Sequence, residues 1–380
     1  MIRPETESDL AEAVAAATSP LRISGGGTRS VGAPVNGELL SIAGLSGITL
    51  YEPGALTMVA RAGTPLAEIR DALAAENQRL AFEPMDHCGL MGTEGVSTIG
   101  GVVAANISGP RRVQVGACRD FMLGVRFVDG AGNILKNGGR VMKNVTGYDL
   151  VKLMCGSHGT LGALSEVSFK VLPKVETAAT VLIEGLSDRD AVKAMSAVLG
   201  SPYEVSGAAH VRPDPGAVPV TMLRLEGFAE SVRYRTGKVQ ALLAAFGEGR
   251  VEAGEQEVAA LWSGVQNVDS FHGRAGDVWR ISVKPSDGPV VGGQLAAADP
   301  KAEVMYDWGG GLIWALVAPG TDVRAQLGGI RGHATLTRGS AQAHARFGTF
   351  QPEPAPLAQI SRALRAKFDP RGIMNTGLMG

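Results

Sequence analysis

Glycine, hydroxyl and arginine side chains carry the chemistry legible in this chain, in three segments: "SGGGTRS" at residues 24–30, "EGVSTIGGVVAANISGPRR" at 94–112 and "CGSHGTLGALSEV" at 155–167. A backbone stripped of side chains can approach a ligand closely, and its N–H groups, with neighbouring hydroxyls, solvate phosphate. Any one such segment reads equally well as a tight turn. Three of them in the first half of one chain suit a single long ligand that contains a pyrophosphate and a planar ring. The first loop is not a dinucleotide-binding G-x-G-x-x-G turn, because "VGAPVNGELL" places two glycines and a proline where the following helix would run. It also lacks the Gly-Lys-Ser/Thr of a phosphate-binding P-loop.

Metal chemistry is not expected. The six histidines form no HxxxH or HxH pair, and the three cysteines, Cys88, Cys118 and Cys155, form no CxxC. The 380 residues carry 36 Lys plus Arg against 37 Asp plus Glu, a net charge of −1, which argues against nucleic acid as the main partner. No run reaches the 18 or so apolar residues of a spanning helix. The opening "MIRPETESDLAEAVAAA" reads as a helix with a Thr6–Asp9 capping box and lacks the regions of a signal peptide, so a cytoplasmic location is the expectation.

The elements that must position these segments read as follows. "LRIS", "ELLSIA" and "LTMVARAG" are short strands, and "TPLAEIRDALAAEN" is a helix with Thr64 at its N-cap and Pro65 at its first position. "RLAFEPM" reads as a strand, and "STIGGVVAANISG" suits a short, tightly packed helix. "DFMLGVRFVDGAGNILKN" is a hairpin around Asp129-Gly130, and "YDLVKLMCGSHGTLGALSEVSFKVLPK" gives a short helix, a turn and a strand. Residues 175–330 alternate strands and helices with a βαβ-like, partly antiparallel character, and "PLAQISRALRAKFDP" is a late amphipathic helix.

These segments, with the C-terminal "FDPRGIMNTGLM", resemble the FAD-binding fold of the vanillyl-alcohol oxidase and p-cresol methylhydroxylase (PCMH) group. "KNVTGYDLVKLMCGSHGTLGALSEVSFKVLPK" and "DWGGGLIW" look most like the FAD-binding E-type subunits of glycolate oxidases. The resemblance implies an α+β chain in three parts. These are a PCMH-type FAD-binding domain over 1–173 (subdomains about 1–80 and 81–173), a smaller cap or substrate domain over 174–330, and a segment over 331–380 packing back on the first domain.

It further implies that Ser24, Gly25, Gly26, Gly27, Thr28, Arg29 and Ser30 cradle the pyrophosphate. Ser97, Thr98, Gly100 and Gly101 would contact the pyrophosphate and ribityl chain, and Asn106, Ser108 and Gly109 would lie near the flavin ring. Gly159, Gly162 and Leu164 would follow the adenosine half, and Pro84, Met85 and Asp86 would line the approach to the ring. Members with covalent flavin carry histidine where this chain has Thr28, so FAD is expected to be noncovalent.

Three catalytic candidates follow. Arg111 and Arg112 could pair with a 2-hydroxyacid carboxylate or steady charge on reduced flavin, or else form a solvated pair or a bridge to Asp120 or Asp86. Tyr148 in "TGYDL" could touch substrate or brace the second and third loops. His158 reads as surface or structural, and Trp308 and Trp314 either cover the flavin or pack a core.

The implied activity is oxidation of glycolate or another small 2-hydroxy acid by hydride transfer to the flavin. Electrons would pass to an iron–sulfur subunit, beside a sister FAD-binding subunit, with membrane association only peripheral and through partners. The sister subunit's histidine-rich metal motif has no counterpart here. A non-catalytic electron-relay or assembly role therefore stands as the alternative, with a polyol or sugar-acid oxidase of the same fold as a third.

Overall fold

The computed structural model describes residues 1–29, 31–32, 35–141 and 147–379. The first helix, Glu7–Ala16, starts where the sequence puts it: the Asp9 N–H donates to Thr6 Oγ1 at 3.1 Å and the Thr6 N–H to the Asp9 carboxylate at 2.9 Å. Its Leu10 and Val14 enter a core shared with a five-stranded sheet. That sheet runs Ile48–Glu52, Thr57–Arg61, Ala163–Lys170, Met122–Val128 and Ile134–Gly138 in spatial order, antiparallel throughout. Beside it Leu21–Ser24 pairs in parallel with Glu38–Ser41, and the first glycine loop leaves from Ser24.

Two local readings shift. The helix after Thr64 spans Leu66–Ala75 with Pro65 at the cap, because Thr64 is fully buried and its hydroxyl is spent on the Arg61 carbonyl at 2.7 Å. Of "RLAFEPM" only Arg79 lies in a strand, Gln78–Arg79: Glu83 takes a left-handed φ of 45° and turns the chain away.

The second unit is an eight-stranded antiparallel sheet. Its order is Arg250–Glu252, Thr177–Glu184, Val220–Gly227, Gly207–Val211, Glu303–Asp307, Leu312–Val317, Asp277–Val283 and Gly332–Arg338. The expected βαβ character is absent from it, since every pairing is antiparallel. Alternation along the strands divides its two faces. Val181, Leu223, Trp279, Ile281 and Ile313 pack under helices Asp188–Leu199, Ala229–Leu243 and Gly288–Ala298. Leu182, Met222, Val278 and Leu312 face the other way, toward helix Glu255–Asn267 and Met85, Leu90 and Ile107 of the first unit.

The expected 331–380 segment is divided. Its strand Gly332–Arg338 belongs to the large sheet, where Ala334 and Leu336 are fully buried. The return to the first unit comes later: Phe368 meets Phe127 with ring centroids 6.1 Å apart, and Ile373 and Met374 join the first core.

Candidate functional site

The three glycine segments converge. Helix Ile99–Ala104 is capped by Thr98, whose hydroxyl accepts from the Gly101 N–H. The Val96 N–H donates to the Gly26 carbonyl at 2.9 Å, and the His158 N–H to the Ala104 carbonyl at 2.8 Å, so the first and third loops both dock on the second. Asn375 closes the arrangement. It accepts from the Ile23 N–H at 2.8 Å through Oδ1 and donates through Nδ2 to the His158 carbonyl at 2.8 Å.

Between them lies a cleft with about 990 Å3 of empty space, lined by Ser24, Gly25, Gly26, Gly27, Thr28 and Arg29 from the first loop. Ser97, Thr98, Gly100 and Gly101 line it from the second, and Gly159, Gly162 and Leu164 from the third. Ser30 lies outside the described residues.

The glycines divide by role. A Cβ on Gly26 would stand 1.4 Å from the Val96 carbonyl oxygen, and one on Gly100 would stand 2.7 Å from the Ala62 carbonyl oxygen, so these two let backbone meet backbone. Gly27, at φ +76°, has nothing within 4 Å, and Gly101 has only Thr98 Oγ1 at 3.3 Å; both open onto the cleft. Among the described residues, the N–H groups of 25–29 donate to no other group. Arg29 Nε is buried without a partner. Free N–H donors and an unpaired guanidinium along a glycine-walled slot are the donor set a diphosphate requires, so the residues fit a flavin dinucleotide.

The cleft continues into a second space of about 1170 Å3 between the two units, through a throat shared by Arg29, His87, Ala105, Ile107 and His158. Met85, Asn106, Ser108 and Gly109 line this part, although their polar groups also serve the fold. Asn106 Oδ1 accepts from the Arg119 N–H at 3.0 Å, Ser108 Oγ from the Cys118 N–H at 2.9 Å, and the Gly109 carbonyl from Trp308 Nε1 at 3.1 Å. Pro84 and Asp86 point into a separate side pocket instead. The Pro84 carbonyl accepts from Gln266, and the Asp86 carboxylate from the Cys88 N–H.

The opposite wall is the large sheet, whose register sets a grid of side chains. Met305, Trp314, Arg280 and Thr335 face one another across four strands, and Asp307, Leu312, Ser282 and His333 form the adjoining row. All but Met305 line the space. Arg280 and Arg112 both lie against the Trp308 indole, at 5.2 and 4.6 Å from its centroid. Depth in the protein, then repulsion from Arg112, pushes the Arg280 guanidinium down to about 10. Burial and the Arg280 charge likewise bring Arg29 to about 10. Burial pushes Asp307 up to about 7, while its neighbours Arg224 and Arg280 pull the other way. Burial and then Arg29 hold His158 at about 3 and His87 well below its usual value; burial, Arg280 and Arg112 lower His333. The imidazoles are therefore neutral near pH 7.

Of the three catalytic candidates only Arg112 reaches this space. Arg111 is held in a buried network by Glu83 at 2.8 Å and Glu226 at 2.6 Å, neither of them the acid expected as its partner. Tyr148 is 88 % exposed and lines neither part of the cleft. The sequence reading missed Arg280, Asp307 and His333; the period-2 position of Arg280 in "DVWRISVKP" was the available signal.

The profile of the FAD binding domain family matches residues 1–138. The glycolate oxidase subunit GlcE of Escherichia coli is 35% identical over 95% of this chain and 93% of its own length. The chain belongs to the GlcE family. The glycolate oxidase subunit GlcD of Bacillus subtilis is 38% identical over 30% of this chain, which is 23% of its own length. Among solved structures, p-cresol methylhydroxylase with substrate bound superposes with a TM-score of 0.73 over 100% of this chain and 88% of that one, at 13% identity. The PCMH-type FAD-binding fold and the FAD cofactor of this GlcE-family chain follow. Among the described residues no helix is long and apolar enough to cross a membrane, and no group of histidine, cysteine and carboxylate residues could hold a metal ion.

Proposed function

We propose that this chain is the FAD-binding subunit of a glycolate oxidase-type complex and oxidises a 2-hydroxy acid, glycolate being the simplest, in the space between its two units. The observation that carries this reading is Arg280. It is a deep-set guanidinium with no ion pair among the described residues, facing the space beyond the throat. An unpaired cation there stands ready for the carboxylate that every 2-hydroxy acid carries.

Bound FAD supplies the two-electron acceptor for the hydride leaving C2. Arg280 fixes the carboxylate, and His333, neutral and in the adjoining row, takes the hydroxyl proton as the C2–O bond becomes a carbonyl. Trp308 and Trp314 wall the space against water. The electrons then leave to an iron–sulfur subunit, beside a sister FAD-binding subunit; the GlcD similarity over part of this chain supports such kinship.

The test is anaerobic addition of glycolate to the FAD-loaded chain. Bleaching of the flavin band supports catalysis, and Arg280→Met is expected to lower the second-order reduction rate by about tenfold to a hundredfold, the loss of one charge-assisted contact. A protein that stays yellow with every 2-hydroxy acid overturns this reading in favour of an electron-relay or assembly role.

A further inference from the structure

The charge in the space between the units exceeds what a small monocarboxylate needs. Arg29, Arg112, Arg119 and Arg280 line it against one carboxylate, Asp307. None of the four arginines forms an ion pair with another described residue. Arg29, at the throat, falls to the cofactor's side. Arg280, on the sheet, falls to the substrate carboxylate. Of the two that remain, Arg112 shares the Trp308 indole with Arg280: it is half-buried, repelled by Arg119, and attracted by an Asp120 whose carboxylate already accepts from the Ala117 N–H at 2.8 Å.

Trp308 has both guanidiniums against its indole. The residue holds a left-handed φ of 54°, costly for a bulky side chain, and is pinned there. Its N–H donates to Asp307 Oδ1 at 2.7 Å and its Nε1 to the Gly109 carbonyl. The indole pinned at that point has the Arg112 and Arg280 guanidiniums 4.6 and 5.2 Å from its centroid.

Resting on the reading above and narrowing its substrate class, we propose that the preferred substrate is a 2-hydroxy dicarboxylate, its second carboxylate held by Arg112. A two-carbon acid satisfies Arg280 alone and leaves Arg112 partly desolvated and unpaired; a second carboxylate one or two carbons farther on neutralises both. The reacting atoms are those of the 2-hydroxy acid oxidation already described, so the electron balance is unchanged.

The test uses the full FAD-loaded chain in its oxidised state. Succinate and acetate, which carry no hydroxyl to oxidise, are titrated while the flavin absorbance is followed. Anaerobic bleaching by malate and tartronate is then compared with bleaching by glycolate and lactate. Succinate is expected to bind at least about tenfold more tightly than acetate, the worth of one added charge-assisted pair. Arg112→Met should bring that ratio toward one, and Arg112→Lys should restore part of it. Equal affinities in the parent protein, or a ratio that survives in Arg112→Met, overturn the proposal. The two ideas fail separately. Absence of bleaching by every acid, with the succinate preference intact, removes the catalytic role and keeps the dianion site. Bleaching by glycolate with no dicarboxylate preference does the reverse.

Discussion

Asp307 is a carboxyl group pulled two ways, by burial toward its neutral form and by nearby arginines toward its charge. It titrates near 3.8 in an open chain and near about 7 in the fold, so between those values the folded protein keeps a proton that the unfolded chain has released. Its contribution to stability therefore falls as pH rises through that window, by about 1.4 kcal/mol per pH unit, and is level above it. His158 and His87, depressed below 6.5, act oppositely: the unfolded chain binds their protons first as pH falls. Asp307→Asn isolates the first effect, because the amide oxygen still accepts from the Trp308 N–H. In urea melts, variant minus parent stability should climb from pH about 4.5 to about 7 and then flatten; a pH-independent difference would rule the assignment out. None of this was legible in "YDWGGG". The alternation of "DVWRISVKP" sets Val278, Arg280 and Ser282 on one face, but whether that face meets a helix or a cleft depends on strands remote in the chain.

At the scale of elements, the glycine loops were legible because the physics is local: runs without Cβ atoms, punctuated by hydroxyls, have few uses. Their division of labour was not. Gly26 and Gly101 look alike in sequence, yet one abuts the Val96 carbonyl and the other opens to the cleft. Gly26→Ala should lower the stability of the FAD-free protein by about 3 kcal/mol, as an overpacked contact against backbone does. Gly101→Ala, inside helix Ile99–Ala104, should hold or raise that stability by about 0.5–1 kcal/mol while reducing bound FAD. Thermal melts of the FAD-free proteins and acid-released FAD per chain separate the two, and parallel losses in both variants would show that the glycines do not differ. Capping at Thr6 and the hairpin at 122–138 were legible for the same local reason. The antiparallel order of the large sheet was not, since helices between strands do not say which strands become neighbours.

Over the whole molecule, a buried relay of charge ties the two units. Arg79, Glu83 and Arg111 come from the first, Arg224 and Glu226 from the second, with Glu226 in contact with Arg79 and Arg111 and Glu83 with Arg111 and Arg224. Burial pushes the Glu226 carboxyl up, but Arg111, Arg224 and Arg79 outweigh it and hold it far below the usual range. Glu226→Gln leaves Arg79 without an ion pair among the described residues and Arg111 with Glu83 alone, and should cost about 3–5 kcal/mol by denaturant titration near neutral pH. A depressed acid contributes above its unfolded value of 4.5 and loses that contribution as pH falls below it, so the gap between parent and variant should narrow in acid. A gap that stays constant down to pH about 3 would contradict the relay.

The Asn375 clasp has a temporal consequence. During synthesis the residues that walls and slot are made of leave the ribosome long before the latch that joins two of them. Until residues 369–378 emerge, the nascent chain offers dinucleotide a gaping groove, and durable uptake of the yellow nucleotide becomes a late event in maturation.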